Sequence, residues 1–255
     1  LQINVAVEDG NAALFVHNAL RGVGPHFLAL TANSPFHAGR RSGLLATRAN
    51  LRGILLDSGW VPEDIPETSW QQYFTERAKL CAIGSVYTTP WAHNLPMRIR
   101  PDRKFCIEIG WPEVVPDFAR LKLLVRFTQA LVRRILECYI SGEPLHPALG
   151  YRQTQMGIQK NIQEAVIRGC NGKFFDAEGN LAILRDTTHE LFRWVFNGST
   201  EGFEPMFQPP PAYMALLRFA ELHPKCIADE GCDGCLEVVN AIVAEARQRF
   251  YAQFA

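Results

Sequence analysis

Residues 98–110 read RIRPDRKFCIEIG, and the second half of this stretch alternates between apolar and polar side chains. Ile107 and Ile109 fall on one side, while Cys106 and Glu108 fall on the other. Since successive side chains of a β-strand point to opposite faces, the spacing predicts a strand with one buried apolar face. Glu108 is then expected on the opposite face.

The start of the chain, LQINVAV over residues 1–7, shows the same period of two. It predicts a half-buried strand that carries Gln2 and Asn4 on one face, so both amides could meet one ligand. An edge strand with a solvated face has the same pattern, and the residues alone leave both interpretations open. A strand that begins at the first residue also leads us to expect that further chain precedes it.

A third segment, TANSPFHAGRRSGLLATR over residues 31–48, combines a turn at Asn33-Ser34 with three arginines. Guanidinium groups match carboxylates and phosphates through two parallel hydrogen bonds, which lysine cannot form. For Arg40 and Arg41 a solvated basic loop is the simpler interpretation. Arg48 follows three apolar residues and is expected to point into a site.

Three further arginines, Arg98, Arg100 and Arg103, precede Glu108. A carboxylate on a strand beside such side chains can bind Mg²⁺ while the arginines hold phosphate oxygens, as phosphoryl transfer requires. A structural ion pair on the sheet would produce the same pattern. The residues alone favour neither interpretation.

The distribution of elements favours an α+β protein with helices packed on one face of an antiparallel sheet. The first half alternates strands and helices, whereas the second half is almost wholly helical. We expect one domain, with a sheet-rich part over 1–115 and a helical part over 116–255. A surface excursion is expected over 51–67 and a turn over 176–180. Helices are predicted at 12–20, 69–80, 117–139, 153–168, 187–196, 212–222 and 236–250.

The composition excludes several classes of function. Lys and Arg number 26 and Asp and Glu also number 26, so net charge favours neither nucleic acid nor an anionic membrane surface. There is no apolar run of about 20 residues that would cross a bilayer. The seven cysteines are scattered and odd in number, which indicates reduced thiols in the cytoplasm. There is no P-loop motif and no Gly-rich dinucleotide fingerprint.

Near the C-terminus, four residues have side chains that zinc prefers: His223, Cys226, Cys232 and Cys235. The last two cysteines have the two-residue spacing of metal ligands. Because there is no second such pair, reduced thiols or a redox pair are the simpler interpretation.

In order and approximate spacing, the segments QINVAV, ANSPFHAGRRSGLLATR and RPDRKFCIEIGWPE resemble the glutamate-cysteine ligase type 2 family, which includes bacterial carboxylate-amine ligases. The resemblance extends over residues 1 to about 180. It implies a glutamine-synthetase-like fold, in which a curved antiparallel sheet cradles Mg-ATP. It also implies a two-step reaction, in which a substrate carboxylate becomes an acyl phosphate and an amine then attacks to form an amide.

The resemblance also implies roles for individual residues. Glu108 matches the glutamate that binds Mg²⁺ late in its strand. Gln2 and Asn4 match the polar pair of the strand that meets metal and nucleotide. Asn33 and Ser34 fall in the family's turn beside the site.

Two arginines, Arg48 and Arg103, match arginines that face the substrate carboxylate or phosphate. We therefore expect Gln2, Arg48, Arg103 and Glu108 to converge around a shared pocket for anions and a divalent cation. Gly110 departs from the pattern, because the family carries an arginine there.

The expected function is an ATP-dependent carboxylate-amine ligase of glutathione biosynthesis, with ATP and Mg²⁺ as cofactors. Its expected substrates are glutamate or a related carboxylate and an amine such as cysteine. No nucleic acid or membrane is expected as a partner, and a homo-oligomer is compatible with the sequence. The alternative is a non-catalytic or substrate-shifted relative that acts as a binding or regulatory subunit, which Gly110 favours. The family's first, glutamate-rich strands are expected to precede residue 1.

Overall fold

The computed structural model describes residues 1–37, 40–55, 69–72, 75, 96–100, 103–209, 211–222 and 235–252. In these residues the chain forms an α+β protein with small antiparallel sheets, as predicted. The elements, in chain order, are β1 Ile3–Val5, α1 Gly10–Leu20, α2 Gly24–Thr31, β2 Phe36–His37, β3 Arg40–Arg41, α3 Thr47–Leu55, β4 Met97–Arg100, β5 Cys106–Ile109, α4 Phe118–Ser141, α5 Gln155–Arg168, β6 Lys173–Phe175, β7 Leu181–Ile183, α6 Leu184–Val195, α7 Pro211–Leu222 and α8 Cys235–Ala252.

Among the described residues the main sheet has three strands in the order β1-β5-β4, and both pairings are antiparallel. Ile109 pairs with Ile3 on one side and with Met97 on the other. Glu108 lies opposite Asn4 and Arg98, so the sheet has one apolar and one polar face. The predicted alternation of residues 106–109 is confirmed.

Helices cover the apolar face of this sheet. α1 packs on β4 and β5, and α4 packs on β1. Ile107 and Ile109 of the central strand are fully buried in this core. The core continues between α4 and α6, where the rings of Phe127 and Phe192 stack with centroids 3.9 Å apart. Helices on one face of an antiparallel sheet were the predicted arrangement, while the curved sheet of the glutamine-synthetase fold remains a prediction.

Helix α4, which the sequence predicted over 117–139, extends over Phe118–Ser141. The Asp117 side chain accepts a hydrogen bond from Ala119 N at 2.8 Å and caps the first turn. The helix ends at Gly142, whose φ of 74° is the left-handed conformation that a C-terminal cap requires.

Two short elements correct the sequence predictions. The predicted turn at 176–180 is present, but β6 and β7 flank it as a hairpin in the half expected to be helical. Residues 51–55 continue helix α3 and do not begin a surface excursion. Strands of three residues are too short to show a period, and α3 depends on capping groups that are distant in sequence. The remainder of the predicted excursion, and most of the predicted helix 69–80, lie outside the described residues.

Helix α2 is buried on every side, because it packs against the main core and also against a second core that contains α5. Its first residue, Gly24, lies against Trp111, which follows β5: an added Cβ would lie 2.7 Å from Trp111 Nε1. Such contact leaves no room for a side chain at the start of α2.

His26 is the buried titratable residue of α2. Its Nδ1 lies 2.8 Å from Thr188 Oγ1, and its Nε2 lies 2.8 Å from Ala148 O. Because a carbonyl can only accept, Nε2 must carry the proton of the neutral ring. Burial lowers the pKa of His26 from 6.5 to about 4, against the smaller upward effect of the hydrogen bond to Ala148.

Two further findings concern features expected from composition. Cys106, Cys138 and Cys170 are free thiols. Among the described residues, no helix is both long and apolar enough to span a membrane.

The pKa of His26 predicts a specific pH dependence of stability. The unfolded state takes up a proton near pH 6.5 and the folded state only near pH 4, so the free energy of unfolding falls as pH decreases between these values. From pH 7.5 to pH 5 the loss from His26 should be about 2 kcal/mol. Urea unfolding at both pH values should show a smaller difference for His26→Gln than for the wild type.

Exposed His37 provides the control, since His37→Gln should leave the pH difference unchanged. Burial also lowers the pKa of His146 and His189, so some pH dependence remains in every variant. A His26→Gln protein with the full wild-type pH difference would contradict the assignment.

Candidate active site

The polar face of the main sheet is organised around the carboxylate of Glu108. Its Oε1 lies 2.6 Å from Arg98 Nη2 in an ion pair and accepts a hydrogen bond from Gln2 Nε2 at 3.0 Å. Arg100 Nη1 lies 3.4 Å from Oε2. Strands β4 and β5 therefore contribute side chains to one cluster with Gln2, which lies one residue before β1, and the register sets Arg98 directly opposite Glu108.

This cluster is partly withdrawn from water. The Glu108 side chain is 6% exposed, and the side chains of Arg98 and Arg100 are each 15% exposed. Both guanidinium groups pair with the one carboxylate. Guanidinium groups match carboxylates and phosphates in geometry, so the cluster contains a residue type that recognises anions.

Cys106 and Asn4 extend the polar face. The Cys106 thiol lies 3.7 Å from Asn4 Oδ1. Burial, and secondarily the negative charge of Glu108, raise the pKa of Cys106, whereas the charges of Arg103 and Arg100 lower it by smaller amounts. A thiol with a raised pKa is a poor nucleophile at neutral pH, so Cys106 serves here as a polar wall of the face.

A second cluster, which we call the Glu113 cluster, lies just beyond the C-terminal end of β5. Glu113 is 1% exposed, and its Oε2 accepts from Asn33 N at 2.7 Å. The Ser34 hydroxyl lies 2.7 Å from Oε1 and 2.8 Å from Oε2. The Asn33 side-chain amide donates to Val114 O at 2.8 Å. The turn at 33–34 is thereby fixed to the segment that follows Glu108 in sequence.

Helix α3 begins at this cluster. Arg48 N donates to Ser34 Oγ at 2.9 Å, and Ala49 N lies 3.3 Å from Glu113 Oε1. The Arg48 side chain is 45% exposed, and its Nη2 donates to Pro112 O at 3.2 Å. The α3 N-terminus thus presents a guanidinium at the surface over a buried carboxylate.

The predicted site residues thus fall into two groups. Gln2, Asn4 and Glu108 lie together on the polar face, and Arg103 lies near enough to Cys106 for its charge to act on that thiol. Arg48, Asn33 and Ser34 lie together in the Glu113 cluster. The expectation that Arg48 and Glu108 line one pocket stays a prediction.

Of the four predicted zinc ligands, His223, Cys226 and Cys232 lie outside the described residues, and Cys235 is the first residue of α8. No group of three or more His, Cys, Asp or Glu side chains that could hold a metal occurs in the part of the chain that the structure describes.

Sequence reasoning gave no site role to Glu113, and it named no individual role for Arg98 or Arg100. The spacing of Arg98 and Arg100 by two residues could have placed both on one face of a strand. Glu113 follows Trp111-Pro112 in irregular chain, and no periodic signal marks it.

The sequence is similar to known proteins. The sequence model of the family described as Glutamate-cysteine ligase family 2 matches residues 1–193. A glutamate–cysteine ligase of Natronomonas pharaonis is 32% identical over 177 residues, which cover 69% of this chain and 46% of the relative. One of Haloferax volcanii is 31% identical over 201 residues, covering 78% and 53% respectively.

A Rubrobacter xylanophilus protein with the provisional name glutamate–cysteine ligase 2-3 is 30% identical over 195 residues, covering 75% of this chain and 48% of the relative. The chain spans about half the length of the curated relatives that it matches.

The geometry predicts that Glu108 is needed to hold the two arginines of the polar face. In Glu108→Gln the guanidiniums of Arg98 and Arg100 lose the carboxylate that they share and repel each other. Breaking a largely buried ion pair in this way should lower the free energy of unfolding by about 3 kcal/mol. Chemical denaturation at pH 7 measures this change.

The matched control is Glu137→Gln, which removes a carboxylate from an exposed pair with Arg134 on α4. That substitution should cost less than about 0.5 kcal/mol. Equal losses in the two variants would show that burial adds nothing to the Glu108 interaction.

Proposed function

The chain belongs to the glutamate-cysteine ligase family 2, and from this premise we propose that it is part of an ATP-dependent carboxylate-amine ligase. In the proposed reaction the γ-phosphoryl group of ATP passes to a carboxylate of glutamate or a related acid. An amine such as cysteine then attacks the acyl phosphate, and an amide and inorganic phosphate are formed. The observation that carries the proposal is the cluster in which Arg98, Arg100 and Gln2 surround Glu108.

Phosphoryl transfer requires fixed positive charge around the transferred group, and the two arginines beside Glu108 support the assignment of this role to the polar face. Arg98 and Arg100 are held in place by Glu108, so little reorganisation is needed when a phosphate arrives. We assign to these guanidiniums the binding of phosphate oxygens. Gln2 and Asn4, on the same face, are assigned to the nucleotide.

The described residues of this cluster could hold Mg²⁺ only together with other ligands, because Glu108 is the carboxylate that they offer. Mg²⁺ is commonly held by one or two carboxylates together with phosphate oxygens and water. Glu108 Oε2 has the longer arginine contact, 3.4 Å, and is the oxygen that we assign to the metal. When bound, Mg²⁺ would neutralise charge on the phosphates, and further carboxylate ligands would come from elsewhere in the protein.

Arg48 and Arg103 are proposed to face the substrate carboxylate or phosphate. Both carry exposed side chains next to the polar residues described above, Arg103 beside Cys106 and Arg48 at the α3 N-terminus. Positive charge from both arginines suits a reaction in which the negative charges of a carboxylate and of a phosphoryl group must be neutralised.

We further propose that the chain is one domain of glutamine-synthetase-like type, divided into parts at 1–115 and 116–255. The proposed location is the cytoplasm, in glutathione biosynthesis, with small molecules as partners and a homo-oligomer as a compatible assembly. The support is that similar proteins are named glutamate–cysteine ligases and that the cysteines are scattered.

A second candidate function is a binding or regulatory subunit without ligase activity. Gly110 favours it, because a glycine offers no cation to the reacting phosphate. Its backbone N–H donates to Pro96 O at 2.6 Å, in the connection to β4. Under this alternative, Mg-ATP or glutamate would bind and no phosphate would be released.

The test is made on the intact protein. Calorimetric titration with Mg-ATP should detect binding, and phosphate release should require glutamate and an amine together. Arg98→Met should lower kcat/KM for ATP at least tenfold, because a charged hydrogen bond contributes about 1.5–3 kcal/mol. Mass spectrometry of the amide product identifies the accepted amine.

Arg133→Met, at an exposed position on α4, is the matched control and should retain wild-type kinetics. Failure of the folded protein to bind Mg-ATP would reject the ligase proposal. Binding without phosphate release, across a panel of amines, would select the regulatory alternative.

A further inference from the structure

The Glu113 cluster carries an inference that rests on the proposed function and deepens it. We propose that Glu113 is a positioning residue, whose carboxylate holds the start of α3, and thereby Arg48, against the segment that follows β5. Glu113 itself is buried from any substrate, at 1% exposure, so it must act through its neighbours.

The first N–H groups of α3 are capped by groups from elsewhere in the chain. The first N–H groups of a helix lack intrahelical acceptors and need others. Thr47 N donates to Ser34 O at 3.0 Å, Arg48 N to Ser34 Oγ at 2.9 Å, and Ala49 N to Glu113 Oε1 at 3.3 Å. α3 has no acidic residue in its own first turn.

The negative charge that favours a helix N-terminus therefore comes from a residue 64 positions further along the chain.

Glu113 holds the turn at Asn33-Ser34 at the same time. The Glu113 carboxylate oxygens accept hydrogen bonds from Asn33 N and from the Ser34 hydroxyl. The Ser34 hydroxyl oxygen in turn accepts a hydrogen bond from Arg48 N. One carboxylate thus joins the end of α2, the start of α3 and the extension of β5. Thr31 Oγ1 secures the arrangement from the other side by accepting from Glu113 N at 3.0 Å.

The Arg48 side chain is held by contacts on its protein side. Its Nε lies 4.0 Å from Glu113 Oε1, its Nη2 donates to Pro112 O, and 45% of its side chain is exposed. The Arg48 side chain is therefore held by Glu113 and Pro112, while nearly half of it remains exposed to solvent. Such an arrangement fixes the direction of a guanidinium that a substrate carboxylate could approach from outside.

The proposed role requires both carboxylate oxygens of Glu113 as hydrogen-bond acceptors, and not only the volume of its side chain. Asn33 N donates to one oxygen and Ala49 N to the other. In Glu113→Gln one of these N–H groups would face the amide NH₂, so the network breaks without a change of size. Glu113→Asp keeps two acceptor oxygens on a side chain shorter by one methylene, and should recover part of the function.

The experiment is a double-mutant cycle on the intact protein, with Glu113→Gln, Arg48→Met and the combined variant. Glu113→Gln should raise KM for the carboxylate substrate about tenfold, with a smaller change in kcat, and Glu113→Asp should restore part of it. In the Arg48→Met background the further effect of Glu113→Gln should fall below about twofold, because the two residues act as one unit.

Glu164→Gln is the matched control. Glu164 also accepts from a main-chain N–H, that of Lys173 at 3.0 Å, and pairs with Arg168 at 3.3 Å, but on α5. Whatever thermal stability this variant loses, its KM should equal that of the wild type. A Glu113→Gln protein with wild-type KM, or with an unchanged effect in the Arg48→Met background, would overturn the proposal.

Amide hydrogen exchange of residues 47–55 gives a readout without catalysis. Glu113→Gln should increase exchange in the first turn of α3 at least fivefold relative to wild type, and Glu164→Gln should not. An inactive wild type would reject the proposed ligase function, whereas unchanged exchange at α3 would reject the role of Glu113. The two failures are thus distinguishable.

Discussion

The two-residue period of β1, β4 and β5 is the constraint on which the rest of the structure depends. Because the three strands pair in register, every apolar side chain goes to the helices and every polar one to the other face. The apolar side holds α1 and α4 through buried isoleucines such as Ile107 and Ile109. The polar side collects charges whose mutual distances the backbone sets. Core and candidate site are therefore two faces of one element.

Both polar clusters follow one electrostatic rule, in which a buried carboxylate is surrounded by donors. Glu108 accepts from the side chains of Gln2 and Arg100 and pairs with Arg98, so that cluster brings guanidinium groups together on the polar face. Glu113 takes most of its donors from the backbone and from a hydroxyl, so it holds chain segments together. Similar groups thus have different proposed roles because their donors differ.

The sequence predicted those features that depend on residues close together in the chain. The alternation around Glu108, the long helix α4 and the turn at 176–180 are local patterns and were found. The family resemblance was also correct, because its motifs are read in order along the chain.

Other features depend on residues far apart in the sequence. The strands β6 and β7 have three residues each, and α3 receives its capping carboxylate from Glu113. Sequence spacing indicated that Asn33, Ser34 and Arg48 could share a site, but it gave no means of pairing them with a glutamate 64 or more positions away. Hydrogen bonds between residues so far apart in the sequence can be identified only from the folded structure.

The contact between Gly24 and Trp111 has a consequence for motion. The backbone of α2 meets the indole so closely that a Cβ at Gly24 would overlap it. Trp111 lies between β5 and Glu113, so α2, the strand and the turn are in direct contact and cannot slide past one another by side-chain rearrangement. Any closure around a bound substrate must then move this unit as a rigid body, with the adjustable parts at its periphery.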